Sequence, residues 1–304
     1  MSSKVYINNV EMQLLNSDDM TYIDARFATD NARIGKLEPT SLSFRKPFEI
    51  YMHHGLASNA KHIPPNTLPA FLEALKAGFD GMETDCRKTA DGIWVLAHDA
   101  SITGTVNGVA TTMVINESTL SQLKTVLLNT SEEYGGIYIA TLQEVLQVAA
   151  YTGMKMLLEY KGESNPEGIA EMVMQTGMQG RVTYMCSHNY WAQMVAVDKR
   201  SNLAEVIFDL GTVTDFSPYT PFLNGSNSVS LDYQASASAS APNMANVINA
   251  QKAGLSIDYW NIARVNHETM FDTNPRHITV NDTDIFEYLA TYLAGKEAQL
   301  PGNS

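Results

Sequence analysis

Phe79-Asp80-Gly81-Met82-Glu83-Thr84-Asp85-Cys86 reads as a buried strand that ends in acids. Residues i and i+2 of a strand point to the same side, so Glu83 and Asp85 share a face. Two carboxylates set side by side repel unless positive charge lies between them. A second strand-end pair, Glu159-Tyr160-Lys161, follows the apolar run Met156-Leu157-Leu158 and puts a cation beside an acid. His53-His54-Gly55 closes the strand-like run from Phe48 to Met52, and His98-Asp99 closes the run from Ile93 to Ala97. Acids, imidazoles and a lysine at strand ends are the makings of a divalent-cation site for chemistry on a phosphate ester.

Outward from this strand the chain alternates. Thr67 to Ala77 fits a helix, with Leu68, Phe71, Leu72 and Leu75 on one face and Gly78 as its stop. Ile93 to Ala97 is a strand entered through the turn Asp91-Gly92. Further strands fit Lys155 to Tyr160, Val182 to Cys186, Glu205 to Phe208, Val229 to Leu231, Leu255 to Trp260 and His277 to Val280. Helices fit between most of them, and Asp284 to Ala294 makes a closing helix. This alternation points to an α/β protein, a (β/α)8 TIM barrel. A doubly wound open sheet is the runner-up. The polar residues at several strand ends favour the barrel, and no G-x-G-x-x-G follows the first strand. Residues 100–136, rich in Thr, Asn and Gly, read as a small insertion after the second or third strand, over the barrel mouth. The run Ala235 to Ala241 alternates Ala and Ser and reads as a loop or weak helix start. Residues 1–46 are polar without a sustained helix period. They read as an N-terminal arm, a tether or oligomerisation segment, before a barrel domain at 47–304.

Bulk properties narrow the function. The net charge of −13 argues against a non-specific nucleic-acid binder. It also repels an anionic substrate at long range, so local positive charge must act inside the site. Cys86 and Cys186 are too few for a disulfide scaffold and read as core residues. No apolar run approaches the ~20 residues of a membrane span. The start lacks a basic and apolar leader, so the expectation is a cytoplasmic protein, with a virion tail as the alternative.

Each candidate has a bland reading beside the chemical one. Glu83 and Asp85 are cation ligands, or a solvated pair on an edge strand. Carboxylate oxygens are hard donors, so the ion would be Mg2+ or Ca2+. Glu159 is a third ligand with Lys161 as a phosphate contact, or a rim acid paired with Lys161. His53 and His98 are satisfied polar residues at strand ends, or serve as base and acid, since imidazole titrates near neutrality. Asp99 orients His98 or caps the next loop. His188 follows a strand and is placed to line the mouth. Trp260 packs on a sugar or glycerol carbon face, or into the core. His62, His267 and His277 read as surface or loop residues.

The span from His53 to Asp99 resembles the glycerophosphodiester phosphodiesterase family. The motifs that carry the resemblance are His53-His54-Gly55, Pro64-Pro65-Asn66-Thr67, Glu83-Thr84-Asp85, Thr89-Ala90-Asp91-Gly92, His98-Asp99 and the later Glu159-Tyr160-Lys161. Ser187-His188 and Ile257-Asp258-Tyr259-Trp260 resemble later strand ends of that family. The resemblance implies a (β/α)8 barrel that hydrolyses phosphodiesters with one divalent cation. It implies His53 and His98 as the acid/base pair, and Glu83, Asp85 and Glu159 as metal ligands. Lys161 and His54 would contact the phosphoryl group, with Trp260 and His188 near the substrate. Two positions depart from the family pattern, His54 standing for Arg and Pro65 for Glu. Arg grips phosphate with a permanent bidentate charge, so His54 predicts weaker ground-state phosphate binding.

The expected substrates are glycerophosphodiesters or teichoic-acid-like polymers, and a phospholipase forming a cyclic phosphate is the nearest enzymatic alternative. The rival class is an assembly-tethered barrel, such as a phage-tail protein, that binds or degrades cell-wall glycerol phosphate. In that case residues 1–46 would reach a homo-oligomer or virion partner.

Overall fold

The alternation of short apolar strands and amphipathic helices carries over into the folded chain from residue 48 onward. The computed structural model describes residues 5–7, 10–12, 48–162, 166–187, 205–209, 215, 232–236, 244–260, 267–281 and 283–297. The chain divides into Met1–Lys46 and Pro47–Ser304. In the first unit β1 (Val5–Ile7) and β2 (Val10–Met12) form an antiparallel pair.

In the second unit β3 (Glu49–Met52), α1 (Leu68–Ala77) and β4 (Gly81–Lys88) open the fold. Thr67 caps α1 by accepting a hydrogen bond from the Ala70 N–H, and Gly78 ends it in the left-handed region at φ 86°. β5 (Trp94–Leu96), β6 (Ser101–Val106), β7 (Val109–Val114), α2 (Leu120–Leu123), β8 (Asn129–Ser131) and β9 (Gly135–Ile137) follow. Next come α3 (Leu142–Thr152), β10 (Lys155–Tyr160), α4 (Glu167–Gln175), β11 (Val182–Ser187) and β12 (Glu205–Asp209). β13 (Asp232–Ser236), α5 (Met244–Lys252), β14 (Ser256–Trp260), α6 (His267–Asp272), β15 (His277–Val280) and α7 (Ile285–Glu297) complete the unit.

Eight of these strands close on themselves. β3, β4, β10, β11, β12, β13, β14 and β15 each pair in parallel with the next, and β15 returns to β3. The result is a (β/α)8 barrel. Closure across β4 and β10 pairs Leu157 with Glu83 and Glu159 with Asp85. Tyr51, Leu157 and Met185 pack together as a small buried cluster.

Three readings change. The strand at Ile93 to Ala97 is real, but β5 lies outside the ring and runs antiparallel to β4. Its short connection through Asp91 and Gly92 allows only a hairpin, whereas a parallel crossover needs a dozen or more residues. Ala235 and Ser236 belong to β13 and not to a loop, because pairing with Tyr259 and Trp260 of β14 overrides their weak strand propensity. The expected strand Val229 to Leu231 lies outside the described residues. His277 is buried, not on the surface. Its Nε2 lies 3.5 Å from Glu49 Oε2, which also accepts the Tyr51 hydroxyl at 2.9 Å. Lys155 pairs with the other Glu49 oxygen. Burial would raise the Glu49 carboxyl, but His277, Lys155 and Tyr51 hold it down at about 2. These residues begin β3, β10 and β15, so they sit at the barrel floor, away from the strand ends that carry the site.

The insertion is confirmed between β5 and α3. It consists of the hairpins β6–β7 and β8–β9 with α2 between them. Cys86 and Cys186 are buried free thiols. Among the described residues no helix is long and apolar enough to cross a membrane.

Gly81 marks where the ring is tightest. A Cβ there would drive into the Tyr51 ring and stand 2.7 Å from the Lys155 carbonyl oxygen. Gly81→Ala is therefore expected to cost about 1–3 kcal/mol through overpacking. Urea unfolding of the two proteins checks this, and an unchanged midpoint would show that the contact relaxes freely.

Candidate active site

The C-terminal ends of the barrel strands gather the acids. Glu83 and Asp85 project from one face of β4, and Glu159 is the register partner of Asp85 on β10. Oxygens of all three lie within 4.8 Å of one another. Glu83 and Asp85 are fully buried, while Glu159 keeps partial exposure. Lys161 reaches back between two of them. Its Nζ lies 2.7 Å from Asp85 Oδ1 and 2.6 Å from Glu159 Oε1.

The imidazoles line the same mouth. His53 follows β3, and its Nδ1 lies 2.8 Å from Asn281 Oδ1, just past β15. With Asn281 accepting, Nδ1 carries the proton and Nε2 presents a lone pair. That Nε2 stands 3.8 Å from Glu83 Oε2. His54 sits in the left-handed region at φ 56°, and its backbone N–H donates to Glu83 Oε2 at 3.1 Å. Its Nε2 is 2.9 Å from Asp85 Oδ2. The His53 and His54 rings are 3.6 Å apart between centroids, and His54 and His98 are 5.4 Å apart. His98 is exposed, with Nδ1 2.9 Å from Asp99 Oδ1. Its carbonyl oxygen accepts from the Arg87 guanidinium at 3.0 and 2.5 Å. Asp99 thus contacts His98, as the orienting reading expects. Trp260 meets the His53 ring edge-on at 5.3 Å.

Electrostatics splits the acids. Burial drives the Glu83 carboxyl well above its ordinary value, and the neighbouring Asp85 and Glu159 charges push the same way. Burial also acts on Asp85, but His54 and Lys161 beside it outweigh burial and hold it below the usual carboxylate range. Burial raises Glu159. Burial and the neighbouring His54 pull His53 down to about 4, so it is neutral at pH 7.

The donor set fits a divalent cation. Glu83 Oε1 is buried and has no hydrogen-bond partner among the described residues. Three hard oxygens converge where burial, with like charge pushing the same way, drives one acid toward its protonated form. A cation there would take the place of that proton.

Of the residues singled out from sequence, His53, His54, Glu83, Asp85, Glu159, Lys161, His98 and Trp260 meet around one mouth. His188 lies outside the described residues. Sequence reasoning did not assign the partners that hold these groups. Asn66 is buried at φ 57°, donates from Nδ2 to Asp85 Oδ2 at 2.8 Å, and accepts from Thr84 Oγ1 at 2.6 Å and the Asp85 N–H at 3.3 Å. Its place just before a helix cap was a signal. Asn281, at a strand end like the other site residues, was a weaker one.

The family model described as "Glycerophosphoryl diester phosphodiesterase family" matches residues 53–264. The chain belongs to this family. A glycerophosphodiester phosphodiesterase of Caldanaerobacter subterraneus subsp. tengcongensis is 31% identical over 114 residues, 37% of this chain and 44% of that protein. One from Bacillus altitudinis is 29% identical over 149 residues, 46% and 58% of the two chains. The chain thus spans about half the length of the curated relatives it matches. Among solved structures, a glycerophosphodiester phosphodiesterase from Agrobacterium tumefaciens superposes with a TM-score of 0.61 at 20% identity, over 79% of this chain and 99% of that one. An Oleispira antarctica phosphodiesterase, solved with its product sn-glycerol-3-phosphate, gives 0.61 at 19% identity, over 80% and 96%. At such identity these structures establish the barrel fold that the family shares.

A carboxyl raised in the folded state adds stability at low pH and loses it as pH rises through the folded value. Glu83 is in this position in the metal-free protein. Glu83→Gln is therefore expected to raise the melting temperature near pH 8 in chelator, by about 2–4 °C for each kcal/mol relieved. It should also abolish the further rise that added divalent cation gives the native chain. Thermal melts with EDTA and with Mg2+, Ca2+ or Mn2+ read both effects. A variant that melts lower in EDTA and still responds to cation would contradict them.

Proposed function

We propose that this chain hydrolyses glycerophosphodiesters, using a divalent cation held by Glu83, Asp85 and Glu159 and an acid/base pair of His53 and His98. The observation that carries this reading is the meeting of three carboxylates from two strands beside neutral His53, in a member of this family. Glu83, Asp85 and Glu159 would hold the cation, which would supply positive charge to offset that developing on the phosphoryl oxygens.

The side chains divide the remaining work. His53 acts as base. Asn281 holds its protonated Nδ1, and Nε2 is free to take a proton from water or a substrate hydroxyl. His98 acts as acid, oriented by Asp99 and delivering a proton to the leaving alkoxide. Lys161 supplies the local positive charge that a chain of net charge −13 needs to admit an anionic diester. The Trp260 face, beside His53, gives the glycerol carbons an apolar wall. Asn66 keeps Asp85 aimed inward. Mg2+ and Ca2+ suit the all-oxygen acid set.

Turnover of glycerophosphocholine with and without EDTA is the direct test, with teichoic acid as a second substrate. Hydrolysis should stop in chelator and return with added cation. His53→Ala and His98→Ala should each lower kcat by about 10²–10⁴. Phosphorus NMR of the products separates attack by water from attack by a substrate hydroxyl, since only the latter yields a cyclic phosphate. Full turnover in chelator would remove the cation from the reaction.

A further inference from the structure

We infer that His54 is a fourth ligand of the cation, which makes the centre a mixed nitrogen–oxygen site suited to a first-row transition ion such as Mn2+. This rests on the reading that Glu83, Asp85 and Glu159 hold that cation.

The His54 Nε2 atom is buried and makes no aligned hydrogen bond among the described residues. It nevertheless lies 2.9 Å from Asp85 Oδ2 and 3.8 Å from Glu83 Oε2. Bonds of about 2.1 Å to one octahedral ion put adjacent ligand atoms about 3.0 Å apart. A tetrahedral ion with similar bonds puts them about 3.4 Å apart. The observed spacings bracket these values. His54, His53 and Glu83 also offer ligand atoms within 4.8 Å of one another, so nitrogen donors reach the same carboxylate that the oxygen set shares.

The backbone aims this ring. Among the described residues, His54 is one of five non-glycine residues with positive φ. Its N–H is fixed on Glu83 Oε2, and its carbonyl oxygen accepts from the Asn66 N–H at 2.8 Å. Asn66 in turn binds Asp85. One short circuit of hydrogen bonds thus joins His54 to two of the three acids. His53, by contrast, is oriented from the other side through Nδ1 and Asn281. Both Nε2 atoms stand 3.8 Å from Glu83 Oε2, but it is His54 Nε2 that also lies 2.9 Å from Asp85, which leaves His53 for proton transfer and His54 for the acids.

The donor chemistry sets the ion. Adding imidazole to carboxylates shifts preference from Mg2+ and Ca2+ toward first-row transition ions, among which Mn2+ keeps the affinity for oxygen that the acid set offers.

Pulsed electron paramagnetic resonance on the full chain loaded with Mn2+, without substrate, tests this directly. Electron spin echo modulation from imidazole nitrogen should be present in the native protein. It should be lost in His54→Asn, a replacement that tolerates the left-handed backbone, and retained in His53→Gln. Absence of nitrogen modulation in the native protein overturns the inference without needing any variant. Modulation that survives His54→Asn and vanishes in His53→Gln overturns it as well. Glu159→Gln separates this from failure of the functional reading. If Mn2+ affinity drops in that variant while the native spectrum shows oxygen donors alone, the acids hold the ion and His54 does not. If Mn2+ affinity is indifferent to Glu159, the three-acid centre itself is wrong and the inference falls with it.

Discussion

Repulsion among three carboxylates at the top of a closed barrel governs the rest of this molecule. Glu83 and Asp85 share one face of β4, and closure against β10 brings Glu159 alongside. No backbone adjustment can separate them without slipping a strand register, and a one-residue slip would turn every side chain to the other face. The surroundings answer with positive charge and donors. Lys161 bridges Asp85 and Glu159, Asn66 and the His54 ring attend Asp85, and the His54 N–H attends Glu83. What these groups leave unbalanced is concentrated on Glu83. A site built this way is costly to keep empty, and on the proposed reading that cost is what favours a cation there.

The floor of the barrel shows the contrasting solution. Glu49 is also partly buried, yet it is matched by Lys155, His277 and Tyr51, and its carboxyl is held down at about 2. The floor closes its charge balance within the protein, whereas the mouth leaves its balance to be completed from outside. The same barrel therefore separates a stabilising end from a reactive one, as this architecture generally does.

Much of this was legible in the sequence because strand ends carry local marks. Apolar runs ending in His53, Asp85, His98 and Lys161 announced both the alternation and the chemistry. The register that unites them was not legible. Asp85 and Glu159 become neighbours only through ring closure, and no local pattern states which strands pair. The same limit explains the readings that changed. β5 was identified as a strand, but its direction depends on the length of the turn before it. His277 looked like a loop residue until its pairing with Glu49 gave burial a purpose. Asn66 and Asn281 escaped assignment because an amide earns its role from what it reaches, and both reach residues far away in the chain.

The insertion between β5 and α3 packs its apolar residues against β5 and the segment that leads into α3. Ile102, Ile115, Leu123 and Val126 pack with Val95, Ala97 and Ile139. Leu127 exchanges backbone hydrogen bonds with Thr105, and Lys76 ties the tip near β8 to α1 through Glu133 and Tyr134. A segment whose apolar residues rest on β5, outside the ring, can be exchanged for another without reopening the ring beneath it. It begins directly after His98 and Asp99, so each exchange would redraw the rim on the acid side while the ligands stay fixed. The rim can then be recut without recasting the socket below it.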